Sequence, residues 1–310
     1  MVDNTNRNKQ FIGHLASFAA YAIFGFNIVF CKDIAREGGI PPVALFTMRA
    51  VVAGILFWLL SIALPKEKVE KKDLFKMVAA ALVGLFIPQM TFLSAITCTT
   101  TIDTSILSSL TPIMTMFVAA IFLKEPITFK KAGGVAISFA GVIYLIFNSV
   151  HASNGIDSTS PWGVALLILN TLSFASYLGI FRPLINRYSV VTLMKWMFLF
   201  AFIISLPFSA MPLLQVNYAA ISSKIWLEIG FLIIFATFFA YFLIPIGQKN
   251  IRPTLVSMYS YLQPIIATLI AIIIGTDSLS WQKVIAAALV FAGITIVNRS
   301  RAAQTSTHKE

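Results

Sequence analysis

The chain has 310 residues, 58% of them apolar and 11% charged, with a mean hydropathy of +0.86. A soluble protein of this length is nearer half apolar and a quarter charged; here the apolar residues form runs of about 18–24, matching the ~20 residues a bilayer core requires of a helix. The net charge of +11 does not mark a nucleic-acid binder, because Lys and Arg sit at the ends of apolar runs and build no basic face.

In chain order the runs predict ten membrane-spanning helices, at 11–31, 43–64, 74–97, 103–123, 131–148, 162–181, 191–211, 225–248, 254–274 and 282–298. The first follows Arg7 and Lys9 as a signal peptide would. It is too long for a signal apolar region and lacks a small-residue cleavage site, so it is read as a retained helix. Between the fifth and sixth spans, NSVHASNGIDSTSP is rich in Ser, Asn and Gly and free of Lys and Arg. Residues 149–161 are therefore read as a periplasmic linker between halves 11–148 and 162–298. Residues 299–310 form a polar cytoplasmic tail. Cys31 and Cys98 make no disulfide framework; both fall near the outer ends of helices, which leaves their pairing open.

The two halves repeat. Leu110–Ile146 matches Leu262–Asn298 without a gap at an offset of 152. Pro112 falls on Pro264, Glu125 on Asp277, Thr128 on Ser280 and Lys131 on Lys283. Phe139-Ala140-Gly141 falls on Phe291-Ala292-Gly293. Each copy holds five spans, an odd number, so the second must enter the membrane upside down. Charge supports this. With both termini in the cytoplasm, the inside segments hold 18 Lys and Arg and the outside segments four, while Asp and Glu divide evenly. The turn with Lys124, Lys130 and Lys131 maps onto one holding only Lys283. Similar sequence with reversed charge bias is the signature of an inverted repeat.

These residues also resemble a family. TPIMTMFVAAIF, the turn KEPIT and KKAGGVAISFAGVIYLI are similar to the fourth and fifth helices of EamA-type permeases, in the drug/metabolite transporter superfamily. Phe24-Gly25-Phe26-Asn27 followed by Lys32 fits the same pattern, with Phe24 where the family usually has Trp and Asp277 where it has Glu. The resemblance covers about residues 11–298. It implies an all-α carrier of ten helices with a central cavity between inverted halves, of a kind that often exports amino acids, metabolites or drugs.

Polar side chains inside a bilayer turn away from lipid, and carriers built from inverted repeats place their site near mid-membrane at the repeat interface. Matched polar positions are therefore candidates for substrate binding. Gln89 maps onto Tyr241 at offset 152, Asn27 onto Tyr177 at offset 150, and Ser108 onto Ser260. The alternative for each is a helix–helix hydrogen bond of about 0.6 kcal/mol. Arg49 is the one charge well inside a span. It can meet a substrate carboxylate or phosphate, snorkel to the interface, or bond a neighbouring helix; its occurrence in relatives of varied substrate implies a structural role. Tyr259 and Gln263, four apart, share a helical face. Pro112 and Pro264 each free a carbonyl one turn earlier and are candidate hinges, the alternative being a static kink. Ala136, Ala140, Ala288 and Ala292, beside Gly141 and Gly293, suit close helix packing. Glu125 is read as a turn residue rather than a gate.

No G-x-x-x-x-G-K-[ST] loop supplies an ATPase, and no His/Cys/Asp cluster has metal-ligand spacing, so no cofactor is expected. No carboxylate lies deep in a span, so a carboxylate proton relay lacks its parts. The expected protein is a secondary carrier in the cell's inner membrane, a monomer or homodimer, moving a neutral or zwitterionic small molecule such as an amino acid. Its expected partners are that substrate and the lipid bilayer, with no nucleic acid. A membrane-embedded lipid-linked transferase is the alternative. It would need carboxylates or a His near an interface, for which only Asp103 and Glu125 offer themselves. A channel would need rings of like residues.

Overall fold

A computed structural model describes residues 2–122, 128–151, 159–275 and 280–306. Those residues are helical and contain no strand. Ten long helices follow one another: α1 (Val2–Glu37), α2 (Pro42–Ile62), α3 (Lys71–Ile96), α4 (Thr101–Phe122), α5 (Phe129–His151), α6 (Pro161–Ile180), α7 (Val190–Gln215), α8 (Ser223–Asn250), α9 (Leu255–Ile274) and α10 (Trp281–Ser306), with a short helix Arg182–Arg187 between α6 and α7. Eight are long and apolar enough to cross a membrane. In α5 and α10 the apolar stretches are the shorter Ala132–Tyr144 and Trp281–Gly293. The turn Lys124–Ile127, Asp277, residues 152–158 of the linker and the tail beyond 306 lie outside the described residues.

Local chemistry sets the helix starts. Orphan N–H groups at a helix N-terminus need an acceptor. Thr100, Ser160, Ser189 and Ser222 supply it from their hydroxyls to Asp103, Gly163, Thr192 and Ile225. Gly275 ends α9 in the left-handed region at φ 75°, where glycine avoids the Cβ penalty.

The helices pair as the repeat requires. α2 packs on α7, α4 on α9 and α5 on α10. α1 packs on α8 and α9 of the second half, and α6 packs on α3 and α4 of the first. Exchanging the halves turns each pairing into another, which is twofold pseudosymmetry. With five crossings per half, corresponding helices run in opposite directions, so the twofold lies in the membrane plane. The α5–α10 contact is the closest. Ser138 Oγ donates to Val290 O at 3.0 Å, and a Cβ on Gly293 would collide with Gly134 O and with Ser138.

The pseudosymmetry extends to irregularities. α3 widens into a π-turn at Leu82–Phe86, and α8 does the same at Ile234–Phe239, beginning 152 residues later. Nothing in LVGLF or IFATFF announces this. α4, expected as one span, breaks after Ser108 and resumes at Thr111. α9 tightens into a 3-10 turn at Tyr259–Tyr261. Both irregularities precede the matched prolines. Pro112 has no N–H to offer Ser108 O, and the Thr111 hydroxyl donates there instead at 2.8 Å.

Candidate functional site

Where the halves meet, a cavity of about 80 Å³ lies between them, room for several waters at roughly 10–15 Å³ each. Six of the residues singled out from the sequence line it: Asn27 from α1, Arg49 from α2, Gln89 from α3, Ser108 from α4, Tyr241 from α8 and Gln263 from α9. The matched pair Gln89 and Tyr241 thus converge from opposite halves. So do Thr111 and Gln263, equivalent at offset 152. Tyr21 and Asn170 complete the polar lining; Phe24, Phe92 and Phe174 contribute apolar walls.

Three candidates stand elsewhere. Tyr177 is buried and packs its ring on Gly84 in the π-turn of α3, where a Cβ would come within 2.6 Å of the ring. The missing side chain at Gly84 makes space for Tyr177, which is stacked between Phe174 and Phe181. Tyr259 does not line the cavity with Gln263. The 3-10 turn at Tyr259–Tyr261 breaks the four-residue periodicity on which a shared face depends. Its hydroxyl instead meets His14 Nδ1 at 2.8 Å, tying α9 to the start of α1. Ser260, equivalent to Ser108, is buried outside the cavity.

Arg49 is the electrostatic centre of the site. It is 2% exposed. Nε donates to Thr237 Oγ1 at 2.8 Å, Nη2 to Asn27 Oδ1 at 3.1 Å, and Nη1 approaches Cys31 Sγ at 3.9 Å. Thr237 belongs to the π-turn of α8, and its hydroxyl donates to Leu232 O five residues back. The wide turn therefore aims the acceptor that Arg49 uses. An arginine at a helix centre costs about 2.5–3.5 kcal/mol on insertion scales. Two hydrogen bonds from a charged donor, each about 1.5–3 kcal/mol, offset that without a counter-ion, and among the described residues no carboxylate forms an ion pair with Arg49.

Gln89 contrasts with it. It is 6% exposed, and neither Nε2 nor Oε1 has a partner at normal hydrogen-bond distance among the described residues, although the Tyr241 hydroxyl is near enough for a long hydrogen bond to it. The Tyr21 hydroxyl is likewise buried and unbonded. Asn170 is satisfied, donating to Pro88 O at 2.6 Å. Tyr21 could have been found by the matched-position filter, since Thr171 stands 150 residues on. Asn170 and Thr237 could not, because they fall on Ala20 and Leu85.

Ion pairs join the halves at both ends of the bundle. At the end carrying the termini, Arg187, just after α6, pairs with Asp73 at 2.7 Å and with Glu70. The Tyr188 hydroxyl adds a bond to Asp73 at 2.8 Å. Beside them, Ser189 donates to Glu67 from its amide and hydroxyl. At the far end, Lys224 of α8 contacts Asp33 at 2.6 Å, Glu37 at 3.4 Å and Glu228 at 3.9 Å. Glu37 and Arg187 are equivalent at offset 150 and opposite in charge. Lys32 donates to the last carbonyl of α3, Ile96 O, at 3.0 Å and to Thr99 O in the turn that follows at 2.6 Å.

Comparison with known proteins agrees with this architecture. The model of the EamA-like transporter family matches residues 11–147 and again 161–299. An uncharacterized transporter of Archaeoglobus fulgidus is 27% identical over 262 residues, covering 84% of this chain and 90% of the relative. The uncharacterized inner membrane transporter YedA of Escherichia coli K12 is 26% identical over 294 residues, covering 91% and 89%. YetK of Bacillus subtilis, also an uncharacterized transporter, is 22% identical over 290 residues, covering 93% and 87%. A solved crystal structure superposes with a TM-score of 0.63 at 18% identity over 92% of this chain and 95% of the other; at that identity it bears on the fold alone.

Proposed function

Because this chain belongs to the EamA-like transporter family, with one copy of the family's domain in each half, we propose that it is a secondary carrier of small organic metabolites such as amino acids, working by alternating access and most simply as an exporter. The chain is a multi-pass membrane transporter and not an enzyme, so the lipid-linked transferase considered from its sequence is set aside. The placement we propose is the inner membrane, where YedA is named as residing, with both termini cytoplasmic on the strength of the 18-to-four charge bias.

One observation carries the reading: equivalent residues of the two halves, Gln89 and Tyr241, face one cavity, and ion pairs close the bundle above and below it. In this scheme the Arg187 latch holds the cytoplasmic end and the Lys224 latch the opposite end. Release of one while the other stays closed exposes the cavity to one side at a time. The breaks before Pro112 and Pro264 are the proposed bending points. With no nucleotide-binding loop in the sequence, movement runs down the solute's own gradient, by exchange, or coupled to an ion.

The test is uptake and efflux of labelled amino acids and nucleosides in proteoliposomes, with and without a pH gradient, for the wild type and the double variant Gln89→Ala/Tyr241→Ala. Saturable movement lost in the variant is the expected result. Movement that survives the double variant would remove the site assignment while leaving the carrier; movement that requires the pH gradient would add proton coupling.

A further inference from the structure

Among the described residues, the cavity wall carries one cationic side chain and no anionic one. Its lining includes Arg49 but no Asp or Glu. The guanidinium has five N–H groups, and its contacts with Thr237, Asn27 and Cys31 use three. One N–H on each terminal nitrogen is left without an acceptor among the described residues. Asn27 Oδ1 and Cys31 Sγ lie 3.7 Å apart and so fill the fork between the terminal nitrogens; the two spare N–H groups diverge, and each can donate singly to a carboxylate oxygen. Arg49 is also held on two sides, by Asn27 and by Thr237 of the π-turn, so its head is fixed before any ligand arrives. An arginine needed only to pin α2 against α1 and α8 would be as well served by a carboxylate partner, yet every acceptor it meets is neutral.

Gln89 adds the second element. Its amide is nine-tenths buried, lines the same cavity and has both a donor and an acceptor unused. A buried amide with no protein partner at normal hydrogen-bond distance is complementary to a ligand group that can both give and take a hydrogen bond. The aromatic walls, Phe24, Phe92 and Phe174, suit a compact apolar body.

We infer that the cargo of this cavity is a small organic monoanion, its carboxylate held by a free N–H of Arg49 and an adjoining neutral amide or hydroxyl read by Gln89. A zwitterion is second best, because an ammonium group would find only neutral acceptors and ring faces there. The inference rests on the carrier reading and narrows its cargo. Arg49 becomes the residue that sets charge specificity.

The test needs no knowledge of the natural cargo. In a background with Cys31→Ser and Cys98→Ser, Ser108→Cys places a lone thiol on the cavity wall. Protein in proteoliposomes is treated from either side with anionic sulfonatoethyl methanethiosulfonate or cationic trimethylammonioethyl methanethiosulfonate. Each rate is divided by that reagent's rate with a small thiol in free solution. The expected result is a normalised preference for the anionic reagent of about tenfold or more, kept in Arg49→Lys and lost in Arg49→Gln. Equal rates, or faster cationic labelling, with Arg49 in place would overturn the inference while leaving the carrier standing. So would a preference that persists in Arg49→Gln. If Arg49→Gln does not fold, the Arg49 and Arg49→Lys arms still decide. Failure of both reagents from both sides would instead sink the carrier cavity itself, together with anything inferred about its cargo.

Discussion

Replacing Gln89 by Leu should make the protein more stable and less active. Gln89 buries an amide whose nitrogen and oxygen have no partner at normal hydrogen-bond distance among the described residues. Leaving such groups unbonded costs about 1–3 kcal/mol, and Leu, of similar bulk, removes both without opening a void. On a scale of about 2–4 °C per kcal/mol for chains of some 200 residues, the gain is a rise of roughly 2–12 °C in Tm. It would be read from thermal unfolding of purified protein in detergent. Transport should move the other way. If cargo supplies the missing partners, their loss lowers kcat/KM by the same 1–3 kcal/mol, about 5- to 150-fold at ~1.4 kcal/mol per decade. A fall in Tm of several degrees would refute the reasoning, because it would mean that the amide is already bonded in the resting state and serves the fold.

Other outcomes follow from the same geometry. Gly293→Ala, which drives a methyl into the backbone of α5, should destabilise by about 1–3 kcal/mol; Gly133→Ala, on exposed α5 surface with open space around it, should stabilise by about 0.5–1 kcal/mol, so the same change has opposite signs in one thermal-unfolding series. Arg187→Ala and Lys224→Ala should each shift cavity accessibility toward the end they close, by up to about fivefold for pairs of this exposure, worth some 0–1 kcal/mol, measured as sidedness of thiol labelling at Ser108→Cys. Burial raises the Glu67 carboxyl, but hydrogen bonds from Thr192 and Ser189 outweigh it and hold the group below the ordinary glutamate range. Its stabilising effect is therefore complete above the unfolded value of about 4.3 and fades as pH falls through the lower folded one. Tm curves for the wild type and Glu67→Gln should converge below about pH 4.

The repeat was legible because Leu110–Ile146 and Leu262–Asn298 align without a gap. It led directly to the inversion of the second half, since an odd number of helices per copy turns the next one over; which helices pair came only with the fold. Hydrophobic run lengths placed the helices because bilayer thickness, not tertiary packing, sets them. Matched polarity found Gln89 and Tyr241 because a site on a twofold draws equivalent residues from both sides. It could not find Asn170 or Thr237, which act on one side only. Tyr259 was misplaced by assuming unbroken α geometry through a 3-10 turn. The π-turns were invisible for the same reason: backbone spacing is not a property of side-chain type, and LVGLF and IFATFF hold nothing that demands a wide turn. Arg49 was conspicuous as a charge, but its neutral partners come from helices that only the fold brings together.

The bond from Arg49 to Thr237 also bears on how the protein is made. The two residues lie 188 positions apart. At a synthesis rate of about 5–20 residues per second, the guanidinium exists for roughly 10–40 s before its principal acceptor leaves the ribosome. Asn27 is 22 positions upstream and is present from the start. Throughout that interval α1 must therefore act as the temporary escort of α2, keeping a charge away from lipid until the second half is inserted. A nascent chain stalled before Thr237 should resist alkaline extraction from the membrane less well when Asn27 is replaced by Leu.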